Sequence, residues 1–408
     1  MCVSADHLTP LLSFALLLIA ALVAASIGLL ILQLGLMRVF SAAPSLQPAS
    51  EGDVPETSLC VVIPAYNEAL NVGPCLTSIL RSDNPCRDWR VLLVDDASTD
   101  NTIEQALLTV SALDVNVSRF DLLQAGPRPE GERWVGKNWA CARAMQQVQA
   151  EWVLFLDADV QLKPQALQRA LHQAIHEKAD LLSLAPRLRC GCLAEWMVQP
   201  IMASLLGLGF PIEAANDPDS DVAFAAGPFM LFRRSAYEQI GGHQGLAAEV
   251  VEDLALARLI KRQGLRLRYL LGLDAVDLRM YVDLASLWEG WTKNWLLGLD
   301  GDPIKALGAS AVVVLMFSLP WLLLPASLLL LCLIPSHAVW WFASVILSMM
   351  AIAQQFLIRR WNRQRFEMPL TYWWLMGAGG LLVGAIGPVS VWRTLTGRGW
   401  TWKGRQLT

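Results

Sequence analysis

Residues 11–37 contain no charge, and that run constrains the chain more than any other feature. It is long enough to cross a hydrocarbon core, which takes roughly 20 apolar residues. A cleavable leader would need a basic start and a short apolar core. The residues before this run hold Asp6 and His7 but no Lys or Arg, although "SAAP" at 41–44 mimics a cleavage site. The run therefore reads as an uncleaved N-terminal anchor over 1–40. Two further apolar runs, 307–334 and 338–358, are joined by the turn "PSH". Pro320 and Pro325 interrupt the first of them. Membrane helices tolerate this where neighbours satisfy the freed backbone.

A last apolar stretch, 370–392, is rich in glycine, "MGAGGLLVGAIGP". The basic loop "RRWNRQR" at 359–365 and the tail with Arg393, Arg398, Lys403 and Arg405 both favour the cytoplasm. They share that side only if the glycine-rich stretch re-enters; a full crossing puts one of them outside. In either case two spans separate 54–300 from 359–365, so the two lie on one side. The expectation is an integral protein of a bacterial inner membrane whose middle region faces the cytoplasm.

The composition is 54% hydrophobic and 17% charged, where an ordinary soluble domain carries about 25% charged residues. The excess apolar content sits at the two ends, and 54–300 reads as a mixed globular sequence. The expected division is an anchor at 1–40, a Pro/Ser-rich linker at 41–56, a cytoplasmic domain at 57–300, a membrane region at 301–395 and a basic tail at 396–408. The net charge of −4 points to no nucleic-acid partner. The eight Cys residues, among them Cys2 and the "CGC" at 190–192, match no disulfide or zinc spacing.

Within the middle region, short apolar runs end in turn residues: "SLCVVIP", "RVLLVDD", "WVLFLDAD", "DLLSLAP" and "FMLF". Helical patterns lie between them, as at 73–81 and 102–111. Strands alternating with helices predict βαβ units and a mostly parallel sheet. Ligands of such sheets bind beyond the carboxyl ends of the strands. There the first three runs in this set that end in acids deliver Glu68, Asp95, Asp96, Asp157 and Asp159. Like charges this close repel. A divalent cation would offset them, and Mg²⁺ or Mn²⁺ prefers oxygen ligands completed by substrate phosphates. A lone D-x-D is more often a solvated turn, and "DDASTDNT" alone could be a helix start capped by Ser98, Thr99 or Asp100. The combination of all three segments, each directly after an apolar run, is what points to a site.

The sequence clearly resembles family 2 glycosyltransferases over about 57–300. The matching pieces are "VVIPAYNE" (61–68), "VLLVDDASTDNT" (91–102), "LFLDADV" (154–160) and "VVEDLALARLIKRQG" (250–264). The resemblance implies the GT-A fold for nucleotide-diphospho-sugars, an α/β fold with a mostly parallel sheet and flanking helices, here with transmembrane helices at both ends. It implies that Glu68 and Asp96 contact base and ribose, with Pro64, Tyr66 and Asp95 alongside. It implies that Asp157 and Asp159 hold the diphosphate-bound metal and that Asp253 is the general base of an inverting transfer. A carboxylate can accept the proton that an attacking hydroxyl loses. Glu252 and Asp253 also suit a helix N-terminus, with Gly264 as C-cap.

"WVGKNWACARA" (134–144), "NDPDSDVAFAAGPFMLFRRSAY" (216–237) and "LRMYVDLASLWEGWTKNWLLGLD" (278–300) resemble a membrane subgroup with hopene-associated and carotenoid glycosyltransferases. That resemblance makes Lys137 a candidate diphosphate or sugar contact. It places Glu252, Arg279, Trp291 and Lys293 on the acceptor or diphosphate side. Arg279, Trp291 and Lys293 read equally as an interfacial helix. Processive members carry Q-x-x-R-W where this chain reads "WEGWTKNW", which favours a single transfer. The apolar segment 193–212 reads as a helix on the bilayer surface or as a core helix of the domain. The implied activity is transfer of one sugar from a UDP- or GDP-linked donor to a carotenoid or hopanoid-type hydroxyl. The alternatives are a polyprenyl-phosphate sugar transferase and a silent scaffold of the same fold.

Overall fold

The computed structural model describes residues 5–48, 54–113 and 117–406. It divides into a helical unit, the described parts of Met1–Arg38, Cys190–Gly209 and Tyr281–Arg398, and a sheet unit, those of Val39–Arg189, Phe210–Met280 and Gly399–Thr408. The helices are α1 (Ala5–Ala42), α2 (Val72–Leu80), α3 (Thr102–Ala112), α4 (Gly136–Met145), α5 (Ala166–His176), α6 (Leu193–Gly209) and α7 (Ile212–Asn216). They continue with α8 (Arg234–Gln239), α9 (Glu252–Arg262), α10 (Leu284–Gly298), α11 (Pro303–Val313), α12 (Leu319–Leu333), α13 (Ala338–Phe366) and α14 (Met376–Leu395).

The strands are β1 (Ser58–Ala65), β2 (Asp88–Asp95), β3 (Phe120–Gln124), β4 (Trp152–Leu156), β5 (Val160–Leu162) and β6 (Leu181–Ala185). After them come β7 (Arg187–Leu188), β8 (Phe229–Arg233), β9 (Leu267–Leu271), β10 (Val276–Leu278), β11 (Thr401–Trp402) and β12 (Arg405–Gln406). The main sheet has the order β3-β2-β1-β4-β8-β6-β9, and β8 alone runs antiparallel to its neighbours. All five apolar runs singled out in the sequence are strands of this sheet. Strand β4 is buried along its whole length, as a sheet covered on both faces requires. Register then fixes the edge: Ala65 lies opposite Asp95, and Val62 opposite Phe155. The residues that follow β1, β2 and β4 therefore emerge side by side.

The domain expected over 57–300 is divided. Segments 190–209 and 281–298 belong to the helical unit, because α6 and α10 bury their apolar sides against α14. Trp291 shows this: it is buried on α10, and its indole N–H donates to Gln199 Oε1 of α6 at 2.8 Å. Helix α6 is thus part of the helical bundle rather than of the sheet domain's core. Within the 41–56 linker, Leu46 N–H donates to Leu271 O and Leu271 N–H to Pro44 O, both at 2.9 Å, which extends the β9 edge. Residues 49–53 of that linker, and Cys2, lie outside the described residues.

Among the described residues, four helical stretches are long and apolar enough to cross a membrane: Leu11–Ala42, Pro303–Leu333, Pro335–Phe366 and Trp373–Leu395. The expected cost of Pro320 is met within the bundle. Proline removes the hydrogen bond to the carbonyl four residues back, Met316. Gln355 Nε2 of α13 donates to Met316 O at 2.9 Å and to Phe317 O at 3.1 Å, and Gln355 Oε1 accepts from Trp321 Nε1 at 2.8 Å.

The last helix does not run the length of its neighbours. Ser318 Oγ donates to Gly377 O at 2.8 Å, while Gly387 faces Ser310 and Ala306. So α14 runs antiparallel to the first half of the α11–α12 stretch. Helix α13 continues from Gln355 to Phe366, about 16 Å further. The chain then doubles back, because the Trp373 ring lies 5.1 Å from Phe356 and 5.8 Å from Trp321. Arg359 holds this return, with Nη2 donating to Pro369 O at 3.2 Å. The basic residues at 359–365 and 393–398 therefore lie at the same end of the bundle. Close approach depends on Gly380, Gly384 and Gly387, whose missing side chains leave room for Ser318, Val314 and Ser310. Gly384→Val should lower the stability of the solubilised protein by about 1–3 kcal/mol through overpacking against Val314, read as a lower unfolding midpoint. An unchanged midpoint would contradict this packing.

Candidate functional site

The loops after β1 and β2 interlock. Glu68 N–H donates to Thr102 Oγ1 (2.7 Å), Ala69 N–H to Asp100 Oδ2 (3.2 Å) and Thr99 N–H to Asn67 Oδ1 (2.8 Å). Asn67 adopts a positive φ of 53°, which its short polar side chain tolerates. Asp100 also accepts from Thr102 N–H at 3.0 Å, so it serves the helix start as the sequence suggested. This lattice fixes Tyr66, Glu68, Asp95 and Asp96 on one edge; Pro64 closes β1 just before it. Asp95 accepts from Ser98 N–H at 3.2 Å. Asp96 is buried, and burial raises its pKa despite Arg128 at 2.7 Å and Arg405. Glu68 accepts from Asn71 Nδ2 at 2.8 Å and pairs with Lys403 at 2.6 Å.

At the end of β4, Lys137 bridges two acids. Its ammonium is 2.7 Å from Asp157 Oδ1 and 2.7 Å from Glu252 Oε1. Burial disfavours the charge on Lys137, but Asp157 and Glu252 outweigh it and raise its pKa well above the usual range. Lys137 lies on the first turn of α4 and Glu252 on the first turn of α9, so two helix starts meet at the strand end. Asp253 follows Glu252. Gly227 N–H donates to Asp253 Oδ2 at 3.0 Å and Leu254 N–H to Oδ1 at 2.8 Å. Gly227 neighbours Pro228, whose carbonyl accepts from Asp157 N–H at 3.2 Å. A Cβ on Gly227 would lie 2.8 Å from Asp253 Oδ2, so this approach requires glycine. Burial, then the Glu252 charge, push the Asp253 carboxyl up to about 6.

The fit to a divalent cation is tested by Asp159. Its Oδ1 is buried with no hydrogen-bond partner. Burial first, then the charges of Asp157 and Glu68, hold its carboxyl well above the usual carboxylate range. An unpartnered acceptor among surplus negative charge fits a hard cation. Among the described residues no group of three or more His, Cys, Asp or Glu converges as a metal cage. A cation on Asp157 and Asp159 would therefore need substrate oxygens to complete its shell. Cys60, Cys75, Cys86 and Cys141 are buried, with their thiols pushed up by burial, as small hydrophobes would be.

The structure brings Tyr66, Glu68, Asp95, Asp96, Lys137, Asp157, Asp159, Glu252 and Asp253 to one edge of the sheet unit. Arg279 is exposed on that unit, while Trp291 and Lys293 lie on α10 of the helical unit, Trp291 buried and Lys293 half-buried. Sequence reasoning missed the cations Arg128, Lys403 and Arg405. Arg128 sits in a loop without periodicity, and the other two follow from a turn signal, "WKGR", that was read only as basic tail. The bridge at Lys137 makes a direct prediction. Lys137→Met leaves Asp157 and Glu252 facing each other without it and should cost about 1–2 kcal/mol of stability, less than a fully buried pair because Lys137 and Asp157 are only half-buried. A thermal midpoint equal to that of the unaltered protein would contradict the bridge.

Residues 60–241 match the sequence model of glycosyl transferase family 2. Asp253 lies beyond that match. A 4,4'-diaponeurosporenoate glycosyltransferase of Staphylococcus aureus (strain USA300) is 27% identical over 263 residues, 64% of this chain and 66% of the relative. Its counterpart in strain MRSA252 is 28% identical over 255 residues, 62% of this chain and 64% of the relative. The match thus spans just under two thirds of these relatives' own length. Among solved structures, a mannosyltransferase from Pyrobaculum calidifontis in complex with GDP-Man and Mn²⁺ gives a TM-score of 0.49 at 16% identity, covering 93% of this chain and 98% of that one. The region matched here, with its sheet order and strand-end acids, is a family 2 glycosyltransferase domain.

Proposed function

We propose that this enzyme is bound to a membrane and moves one sugar from a UDP- or GDP-linked donor to a hydroxyl of a carotenoid or hopanoid-type lipid, with inversion. The observation that carries this reading is the placement of Asp253, held by two backbone N–H groups one residue from the Glu252–Lys137–Asp157 bridge. The acceptor oxygen bonds to the anomeric carbon as the bond from that carbon to the diphosphate oxygen breaks. The acceptor's proton passes to Asp253, and the nucleoside diphosphate leaves with the bonding electrons. Lys137 supplies positive charge where the diphosphate develops its own negative charge. A divalent cation, Mg²⁺ or Mn²⁺, on Asp157 and Asp159 would neutralise the departing diphosphate.

The carotenoid acceptor is supported by the names of the Staphylococcus aureus relatives. The membrane is supported by the four apolar stretches. Both basic segments lie at one bundle end, which is the arrangement a re-entrant last helix produces. With positive charge kept inside, that end and the 54–300 region face the cytoplasm of the inner membrane. The departure from Q-x-x-R-W favours one transfer rather than a polymer.

Asp253→Asn should abolish transfer to a hydroxyl acceptor, at least a hundredfold in kcat, while UDP or GDP binding is retained. Full activity in that variant would remove Asp253 from the role of base. Because the Asp253 pKa is raised to about 6, the base is protonated and idle below that pH. Measured kcat/KM should therefore rise about tenfold per pH unit up to about 6 and then level off. A profile flat from pH 5 to 8 would contradict it. Asp159→Asn should abolish the gain in nucleotide binding that Mn²⁺ provides, because the cation would lose its unpartnered ligand. Undiminished Mn²⁺-dependent binding, followed by calorimetry, would contradict that assignment.

A further inference from the structure

The C-terminal residues form a hairpin that lies on the acids of the donor edge. Strands β11 and β12 pair antiparallel across Lys403 and Gly404, with φ of 48° and 80°. Positive φ at both central residues is what a two-residue hairpin turn of the favoured hand demands. The turn aims Lys403 at the first acidic loop. Its Nζ is 2.6 Å from Glu68 Oε1 and donates to Asn67 O at 2.9 Å and Tyr66 O at 3.3 Å. Arg405 lays its guanidinium over the Tyr66 ring, with Cζ 3.7 Å from the centroid, pairs with the Asp96 carboxylate, and donates to Asp96 O at 2.9 Å.

A guanidinium in this position is flat, stacks on an aromatic face and points N–H donors at a carboxylate. Uracil and guanine offer the same features: a flat ring with N–H donors on one edge. At 3.7 Å the guanidinium is in van der Waals contact with the ring, so no base can stack on that face while Arg405 stays. Trp400, buried just before β11, anchors the approach to the hairpin, and beyond it these cations tie the hairpin to the acidic loops. It forms a two-stranded sheet of its own, and such ribbons are marginal alone. Its departure also leaves each carboxylate a partner, since Asp96 keeps Arg128 and Glu68 keeps Asn71, and it frees the Tyr66, Asn67 and Asp96 carbonyls.

Resting on the donor-site reading above, we infer that the C-terminal hairpin is a self-inhibiting strap: Arg405 and Lys403 occupy the nucleoside subsite, and a donor nucleotide binds only when they leave it. The strap sets the fraction of enzyme open to donor, and the apparent dissociation constant rises in inverse proportion to that fraction.

The test titrates UDP and GDP, each with Mn²⁺, into the full chain in detergent, a chain ending at Arg398, and the variant Arg405→Ala. A strap closed nine-tenths of the time predicts about tenfold tighter binding after truncation. Arg405→Ala, which keeps the rest of the hairpin, should tighten binding severalfold. In the full chain, saturating nucleotide should speed tryptic cleavage at Lys403 and Arg405. Equal or weaker binding by both variants, or protection of the hairpin by nucleotide, would overturn the strap and make the hairpin part of the donor site or a bystander. If none of the three forms binds either nucleotide, the donor-site reading itself falls, and the strap with it.

Discussion

Parallel strands carry whatever follows them to the same edge, and here β1, β2 and β4 are followed by acids. Asp95, Asp96, Asp157 and Asp159, with Glu68 just beyond, would repel one another if left alone. The structure offsets them with cations drawn from distant parts of the chain: Lys137 from the start of α4, Arg128 from the loop before it, and Lys403 and Arg405 from the C-terminal hairpin. One acid, Asp159, is left with an unpartnered oxygen. The same negative field that makes the edge costly to fold would favour a divalent cation there, which is what the proposed function requires. Asp253 belongs to this balance as well: burial, then the neighbouring Glu252 charge, push its carboxyl up to about 6.

The helical unit depends on a different constraint, the supply of partners for buried backbone groups. Gln355 takes up the carbonyls freed around Pro320, and Arg359 takes up the Pro369 carbonyl where the chain turns back. Glycines on α14 let that helix nest along the first half of the α11–α12 stretch. A short, close-packed last helix is what lets both basic segments share an end.

The acidic half of the site was legible in the sequence, because each acid follows directly on an apolar run and position along a parallel strand needs no tertiary information. The strands and the two helix starts at Thr102 and Glu252 were legible for the same local reason. The cations were not. Arg405 meets Asp96 across 309 residues, and no local pattern encodes a contact of that range. Lys137 was singled out, but as a ligand contact; its bridge to Glu252 depends on where α9 begins relative to β4. The apolar pattern of α6 left a helix on the bilayer surface and a core helix of the domain both open, and only its packing on α14 assigns it to the helical unit. The course of the glycine-rich segment likewise depended on register, which length and hydropathy do not carry.

Lipid mass spectrometry on cells with and without this gene tests the central claim most directly. The account predicts a glycosylated carotenoid or hopanoid that vanishes on deletion and returns when the unaltered chain, but not Asp253→Asn, is restored. An unchanged terpenoid profile accompanied by loss of an acid-labile polyprenyl-phosphate sugar would contradict it and move the acceptor to a lipid phosphate.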